Sequence, residues 1–203
     1  MRKIELSTIY FNKITKEKKV TESSEKIENT NRGYKLYDIM SSITTGVFFV
    51  AVIFVFLVRG VGVEGISMQP TLDNGDYVIV SSMFYEVERG DIVVISPYKD
   101  LKKPIIKRVI GVEGDVVDID FKAHKVYVNS VELDEPYIGA LTARRYDVKF
   151  PVTVPEGCYF VLGDNRNDSL DSRSSQVGFV ESETVFGKVI LKMVSLGSTK
   201  NGG

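Results

Sequence analysis

The 203-residue chain predicts an all-β domain, with antiparallel sheets forming a partly closed, barrel-like fold, preceded by one transmembrane helix. Three observations predict it. From Val61 onward, short runs of Val, Ile, Tyr and Phe are bounded by Gly, Asp, Pro and Asn. No internal repeat or long amphipathic helix interrupts them. The one long apolar run, Met40 to Val58, carries no charge. As a helix at about 1.5 Å per residue it would span about 29 Å, close to the hydrocarbon core of a bilayer.

Taken in order, residues 1–37 form a polar, mixed-charge tail. Lys16, Lys18, Lys19, Lys26, Arg32 and Lys35 alternate with Glu17, Glu22, Glu25 and Glu28, a pattern that buries little. Residues 38–59 are the anchor. A buried core helix would have to be apolar on every side. A cleaved signal peptide is opposed by the long tail before the run and by Arg59-Gly60-Val61-Gly62-Val63 after it, which lacks a small-x-small cleavage pattern. Lys26, Arg32 and Lys35 precede the run, and after Arg59 no Lys or Arg follows until Arg89. The positive-inside rule then puts the N-terminus in the cytoplasm and the bulk of the chain outside.

Residues 60–197 are the β domain. Strands are predicted at Tyr77–Ser81, Asp91–Ser96, Ile105–Val112 and Val116–Asp120, and at a hairpin of Lys125–Val128 and Val131–Leu133 across Asn129-Ser130. Further strands follow at Val148–Val154, Tyr159–Leu162 and Val185–Met193, and residues 198–203 are a frayed end.

Composition narrows the chemistry. A net charge of −1 gives no bulk attraction to nucleic acid. The single cysteine, Cys158, has no disulfide partner within the chain and reads as a small core hydrophobe. The single histidine, His124, lies in a surface turn. This supply makes a zinc site or a Ser-His-Asp triad improbable, so a hydrolase built on this chain needs another general base.

Three polar stretches could supply one. Gly65-Ile66-Ser67-Met68-Gln69-Pro70-Thr71-Leu72 holds a serine between a glycine and a proline, just past the apolar run. Ser67 follows Val58 by nine residues, which reach about 30 Å at most, so it lies near the membrane's outer face. In Ile105 to Asp115, Lys107 shares a strand face with Ile105 and Val109, while Arg108 points the other way with Ile106 and Ile110. Such a lysine either snorkels to solvent or is desolvated. In the second case its pKa falls, and the neutral amine can take a proton from a serine hydroxyl. In Gly163-Asp164-Asn165-Arg166-Asn167-Asp168-Ser169-Leu170-Asp171-Ser172-Arg173, Asp164, Arg166, Asp171 and Arg173 can pair and stiffen a loop, and Ser169 can hydrogen-bond a neighbouring amine. The arginines among these carboxylates weigh against a calcium loop.

These stretches resemble the sequence boxes of type I signal peptidases, in family order behind an anchor, from about residue 40 to the end of the β domain. Gly65–Leu72 is similar to the nucleophile box, Gly90-Asp91-Ile92-Val93-Val94 to a structural strand box, Lys107–Asp115 to the general-base box and Gly163–Arg173 to the last box. The resemblance implies a Ser-Lys dyad and an acyl-enzyme, with Ser67 as nucleophile and Lys107 as general base. It implies that Ser169 orients the amine, that Asp171 and Arg173 hold the site, and that Arg108 pairs with an acidic loop residue. The Ser67 backbone N–H would serve the oxyanion. Many members add a serine hydroxyl two residues before the nucleophile; that position here is Gly65, as in the single-span bacterial branch.

The resemblance also implies a cleft that binds an extended chain by strand addition, for which Val63, Ile66, Ile105 and Ile106 are the expected walls. Exported preproteins with small-x-small sites are the implied substrates, and the bilayer and the translocation machinery the implied partners; no metal, organic cofactor or nucleic acid is implied. Two other readings stand beside it: a non-enzymatic, membrane-anchored β domain that binds extended peptides or envelope proteins, and a self-cleaving repressor-type Ser-Lys protease. The second needs a soluble DNA-binding domain where the anchor lies.

Overall fold

The structure is a computed structural model that describes residues 34–52, 58–83, 85–99 and 101–193. The chain divides into two compact units, Met1–Phe54 and Val55–Gly203. The tail up to residue 33 and the expected frayed end lie outside the described residues.

The first unit is represented by one helix, α1 (Tyr34–Val52), whose 19 residues are long and apolar enough to cross a membrane. Its Ser42 and Thr44 hydroxyls donate to the Asp38 and Met40 carbonyls, each at 2.8 Å. These polar side chains are satisfied within the helix, as an apolar setting requires. The described helix overlaps the expected anchor of 38–59, of which residues 53–57 lie outside the described residues. Tyr34 to Tyr37 are helical too, since nothing in Lys35 to Asp38 breaks helical backbone. At the other end Val58 and Arg59 belong to a strand, drawn by pairing partners that local composition does not reveal.

The second unit is mostly β, and every strand pair is antiparallel. Its strands are β1 (Val58–Gly62), β2 (Tyr77–Ser81), β3 (Ile92–Ile95), β4 (Ile105–Gly111), β5 (Val116–Asp120), β6 (Lys125–Val128), β7 (Val131–Glu132), β8 (Val152–Thr153), β9 (Cys158–Leu162), β10 (Val180–Glu181) and β11 (Val185–Met193). One curled, half-barrel sheet runs β1-β2-β11-β3-β4-β9-β10, and a smaller one runs β7-β6-β5-β8. The sequence runs therefore mark most strands. The exceptions are β1 and β10, which were not expected, and Val148–Val154, which keeps only the two residues of β8. Pro151 has no N–H for a ladder, and the strand starts after it.

Buried side chains explain the arrangement. Ile110, Val117, Ile119, Val126, Val128, Val154, Phe160 and Leu162 form a core joining β4 and β9 to the smaller sheet. Phe121, Phe150, Phe160 and Phe179 extend it as a chain of edge-on aromatic contacts. Cys158 packs against this core, half-buried. A second cluster, Val63, Met68, Leu72, Val78, Val80 and Val94, lies under the turn that carries Ser67. Val93, Ile95, Val109, Val161, Val177 and Val180 form a third. The apolar neighbours of Ser67 thus fix its turn to the large sheet.

Candidate active site

Ser67 lies in the connection between β1 and β2, and Lys107 in the middle of β4. Met68 and Leu72 are buried on either side of Pro70, and the Leu72 N–H donates to the Met68 carbonyl at 2.9 Å. This tight turn presents the hydroxyl. Gly65, at φ +89°, opens it in a conformation that a side chain would strain. Lys107 lies beside Val93 of β3 in the ladder and is only 3% exposed.

The two meet. Lys107 Nζ donates to Ser67 Oγ at 2.8 Å and to the Ile106 carbonyl at 3.0 Å. Burial pushes the Lys107 ammonium down to about 8, against the pull of the Asp171 and Asp164 carboxylates. The lysine is therefore desolvated and does not snorkel. At pH 7 roughly a tenth of it is neutral and at pH 8 about half. A hydroxyl 2.8 Å from an amine with this pKa can be deprotonated as it attacks an acyl carbon.

Three buried ion pairs frame this contact. Arg108 grips Asp164 through two hydrogen bonds, Nε to Oδ1 at 2.8 Å and Nη2 to Oδ2 at 2.6 Å. Asp164 also accepts from Thr71 Oγ1 at 2.5 Å, tying the loop to the turn that bears Ser67. Arg173 grips Asp171 at 2.8 Å through both Nε and Nη2, and Asp171 accepts the Gly163 N–H at 3.1 Å. Arg166 does not pair within its own loop as expected; it reaches Glu135, with Nη2 to Oε1 at 2.5 Å and Nη1 to Oε2 at 2.9 Å. The Tyr137 ring lies 4.0 Å from the Arg108 guanidinium carbon and bridges the two arginines.

Ser169 is the exception. It is 2% exposed, but its hydroxyl has no hydrogen-bond partner, so the expected bond to the Lys107 amine is not made in this conformation. The hydroxyl lies against Gly163, where a Cβ would collide with Ser169 Oγ and with the Ser67 carbonyl. Glycine at 163 thus brings this loop against the turn that carries Ser67. Asn165 secures the contact: its N–H donates to the Ser67 carbonyl at 3.0 Å and its Nδ2 to the Ile66 carbonyl at 3.2 Å.

A cavity of about 270 Å³ opens beside Ser67 and Lys107. Ser67, Lys107, Val63, Ile105 and Ile106 line it, so three of the four expected wall residues are there. Ile66 is not; it is 43% exposed and lies outside the lining. Glu64 and Lys103, on opposite walls, form an exposed ion pair at 3.0 Å. Beside the cleft, β4 pairs with β9 only from Arg108 onward, so Ile105 to Lys107 keep one ladder edge open.

Sequence reasoning missed Thr71, Glu135, Tyr137 and Lys192. Lys192, on β11, donates to the Thr71 carbonyl and pairs with Asp76, each at 2.9 Å. None lies in a pattern that names a partner across such distances in the chain. Only Thr71, inside the nucleophile box, carried a hint.

Comparison with known proteins points to one family. A family model described as "Signal peptidase, peptidase S26" matches residues 36–194. A signal peptidase I of Bacillus licheniformis is 36% identical over 170 residues, covering 79% of this chain and 89% of that one. A signal peptidase I of Bacillus caldolyticus is 40% identical, covering 69% and 81%. A signal peptidase I of Enterococcus faecalis V583, known from its crystal structure, is 33% identical with a TM-score of 0.44, covering 54% of this chain and all (100%) of that one. With a family match over most of its length and relatives above one-third identity across most of both partners, the chain belongs to the peptidase S26 family and is a serine peptidase of the type I signal peptidase kind.

Proposed function

We propose that the protein cleaves signal peptides by a Ser67–Lys107 dyad through an acyl-enzyme. The observation that carries this is the 2.8 Å contact between Ser67 Oγ and a lysine amine whose pKa burial lowers to about 8. Ser67 Oγ attacks the scissile carbonyl while neutral Lys107 takes the hydroxyl proton. The tetrahedral oxyanion is held by backbone N–H groups, that of Ser67 among them. Collapse expels the mature protein's amine, which takes the proton from Lys107. A water, deprotonated by Lys107, then attacks the ester and releases the signal peptide with Ser67 restored. Asp171 with Arg173, and Asp164 with Arg108, hold the loop that packs on the dyad, and Ser169, whose buried hydroxyl has no other partner among the described residues, orients the amine.

The substrate adds as a strand along the open edge of Ile105 to Lys107, where backbone groups give affinity whatever the side chains. Val63, Ile105 and Ile106 narrow the cavity to small side chains, which suits small-x-small sites. The anchor is α1, with the N-terminus cytoplasmic and the β unit extracytoplasmic. Exported preproteins reach the site from the bilayer and the translocation machinery.

The test is cleavage of a preprotein with a small-x-small site by the full chain in detergent or lipid. Loss of cleavage in both Ser67→Ala and Lys107→Ala, with folding intact, is the expected result. Undiminished cleavage in either variant sinks the dyad. No cleavage by the wild-type chain across several preproteins would favour a peptide-binding module.

A further inference from the structure

The unanswered point in this chemistry is the second group that stabilises the oxyanion. Gly65 has no hydroxyl to give, and its N–H is already committed to Asn74 Oδ1 at 2.8 Å. From the hydrogen bonds around the nucleophile turn, we infer that the Met68 N–H is that second donor and that Asn165 is the positioning residue that aims it. The inference rests on the Ser67–Lys107 reading above.

The geometry comes from two adjacent peptide planes. In a trans peptide the N–H points opposite to the C=O. The Ile66 carbonyl accepts from Asn165 Nδ2 at 3.2 Å and the Ser67 carbonyl from the Asn165 N–H at 3.0 Å. One residue therefore holds both carbonyls on its own side. The N–H groups of those planes, belonging to Ser67 and Met68, then both face away from Asn165. Ser67 and Met68 line the cavity, whereas Asn165 does not. Neither N–H has a hydrogen-bond partner among the described residues, whereas the next amide, Gln69, is spent on the Ile66 carbonyl at 3.1 Å. Two successive free N–H groups facing one cavity make a concave anion site. The amide of the residue after a nucleophile serves the same purpose in unrelated hydrolases. The attacked carbonyl oxygen, as it takes negative charge, would accept from both.

The experiment replaces the Met68 amide with an ester in the full chain, by incorporating the α-hydroxy acid analogue at position 68. This deletes one N–H and no hydrogen bond within the fold. Removing one oxyanion donor lowers kcat by about 10²- to 10³-fold. That loss is expected here with KM for a preprotein nearly unchanged. A peptide aldehyde, which forms a charged hemiacetal on Ser67, should weaken by the same factor. Asn165→Ala keeps the backbone bond to Ser67 but loses the one to Ile66. It should lower kcat and aldehyde affinity together, with KM held, which a general loosening of the fold would not do. The inference is overturned by an ester variant within twofold of wild-type kcat. It is equally overturned if that variant fails to fold, since the N–H would then be spent on structure. Cleavage that survives Ser67→Ala would instead overturn the dyad reading and leave a different signature.

Discussion

At Lys107 the burial that lowers the pKa of the amine also weakens the fold. The folded residue loses its proton near pH 8, while in the unfolded chain it holds the proton to about 10.4. Between those values the unfolded state binds more protons, so this residue's contribution to stability rises with pH across that window. Below pH 8 the whole cost of the buried charge is present. A shift of this size corresponds to about 3 kcal/mol, so Lys107→Met should stabilise the chain at pH 7 by that order while abolishing cleavage. Urea unfolding at pH 7 and pH 10 would check it, the gain shrinking at the higher pH. If Lys107 is the general base, kcat/KM should climb about tenfold per pH unit below pH 8 and level off above it, since only the neutral amine can accept the serine proton. A flat profile from pH 6 to pH 9 would contradict that assignment. The Ser67–Lys107 encounter itself was not legible locally. The two residues are 40 apart in sequence, and only the resemblance of their flanking boxes joined them before the geometry did.

Among the elements, the loop of Gly163 to Arg173 was only partly readable. The Asp171–Arg173 pair closes over two residues, and local reasoning anticipated it. Arg166 finds Glu135 across 31 positions, a distance at which charge alone names no partner. Asp164 finds Arg108 across 56, a pairing that the family resemblance anticipated in kind. Because Asp164 is fully buried, Arg108→Met should strand a carboxylate in the interior and cost about 3–5 kcal/mol. The double variant Arg108→Met with Asp164→Leu should recover much of that, and urea midpoints of the three chains would show it. The β6–β7 turn is a simpler case. Asn129 and Ser130 have φ of +53° and +67°, the mirror-image geometry that a tight hairpin demands. The Asn129 side chain is committed to the Val116 N–H and to Asp115, so Ser130 is the residue to change. Ser130→Gly should raise stability by about 0.5–1 kcal/mol with cleavage unaltered, read by thermal unfolding and a peptide assay. Strands of five or more residues with alternating burial, such as β2 and β5, were visible in the sequence. The two-residue β10 was too short to leave a pattern, and β1 was hidden by its glycines and its nearness to the apolar run.

At the scale of the molecule the division into Met1–Phe54 and Val55–Gly203 predicts a separable peptidase unit. A chain beginning at Val55 should fold cooperatively and cleave a soluble peptide with a small-x-small site. It should lose much more activity on preproteins embedded in vesicles than on the peptide; equal loss on both would mean that the first unit shapes the site directly. The ladder edge of Ile105 to Lys107, left open where β9 stops, has a consequence beyond the reaction. An unpaired row of backbone groups invites any extended segment, including one from another copy of the same chain, and such edges seed aggregation. Lys102, Lys103 and Pro104 stand immediately before this one. Lys102 repels a second identical edge and Pro104 cannot extend the ladder, so the residues at the cleft's entrance guard the open edge against pairing with another copy.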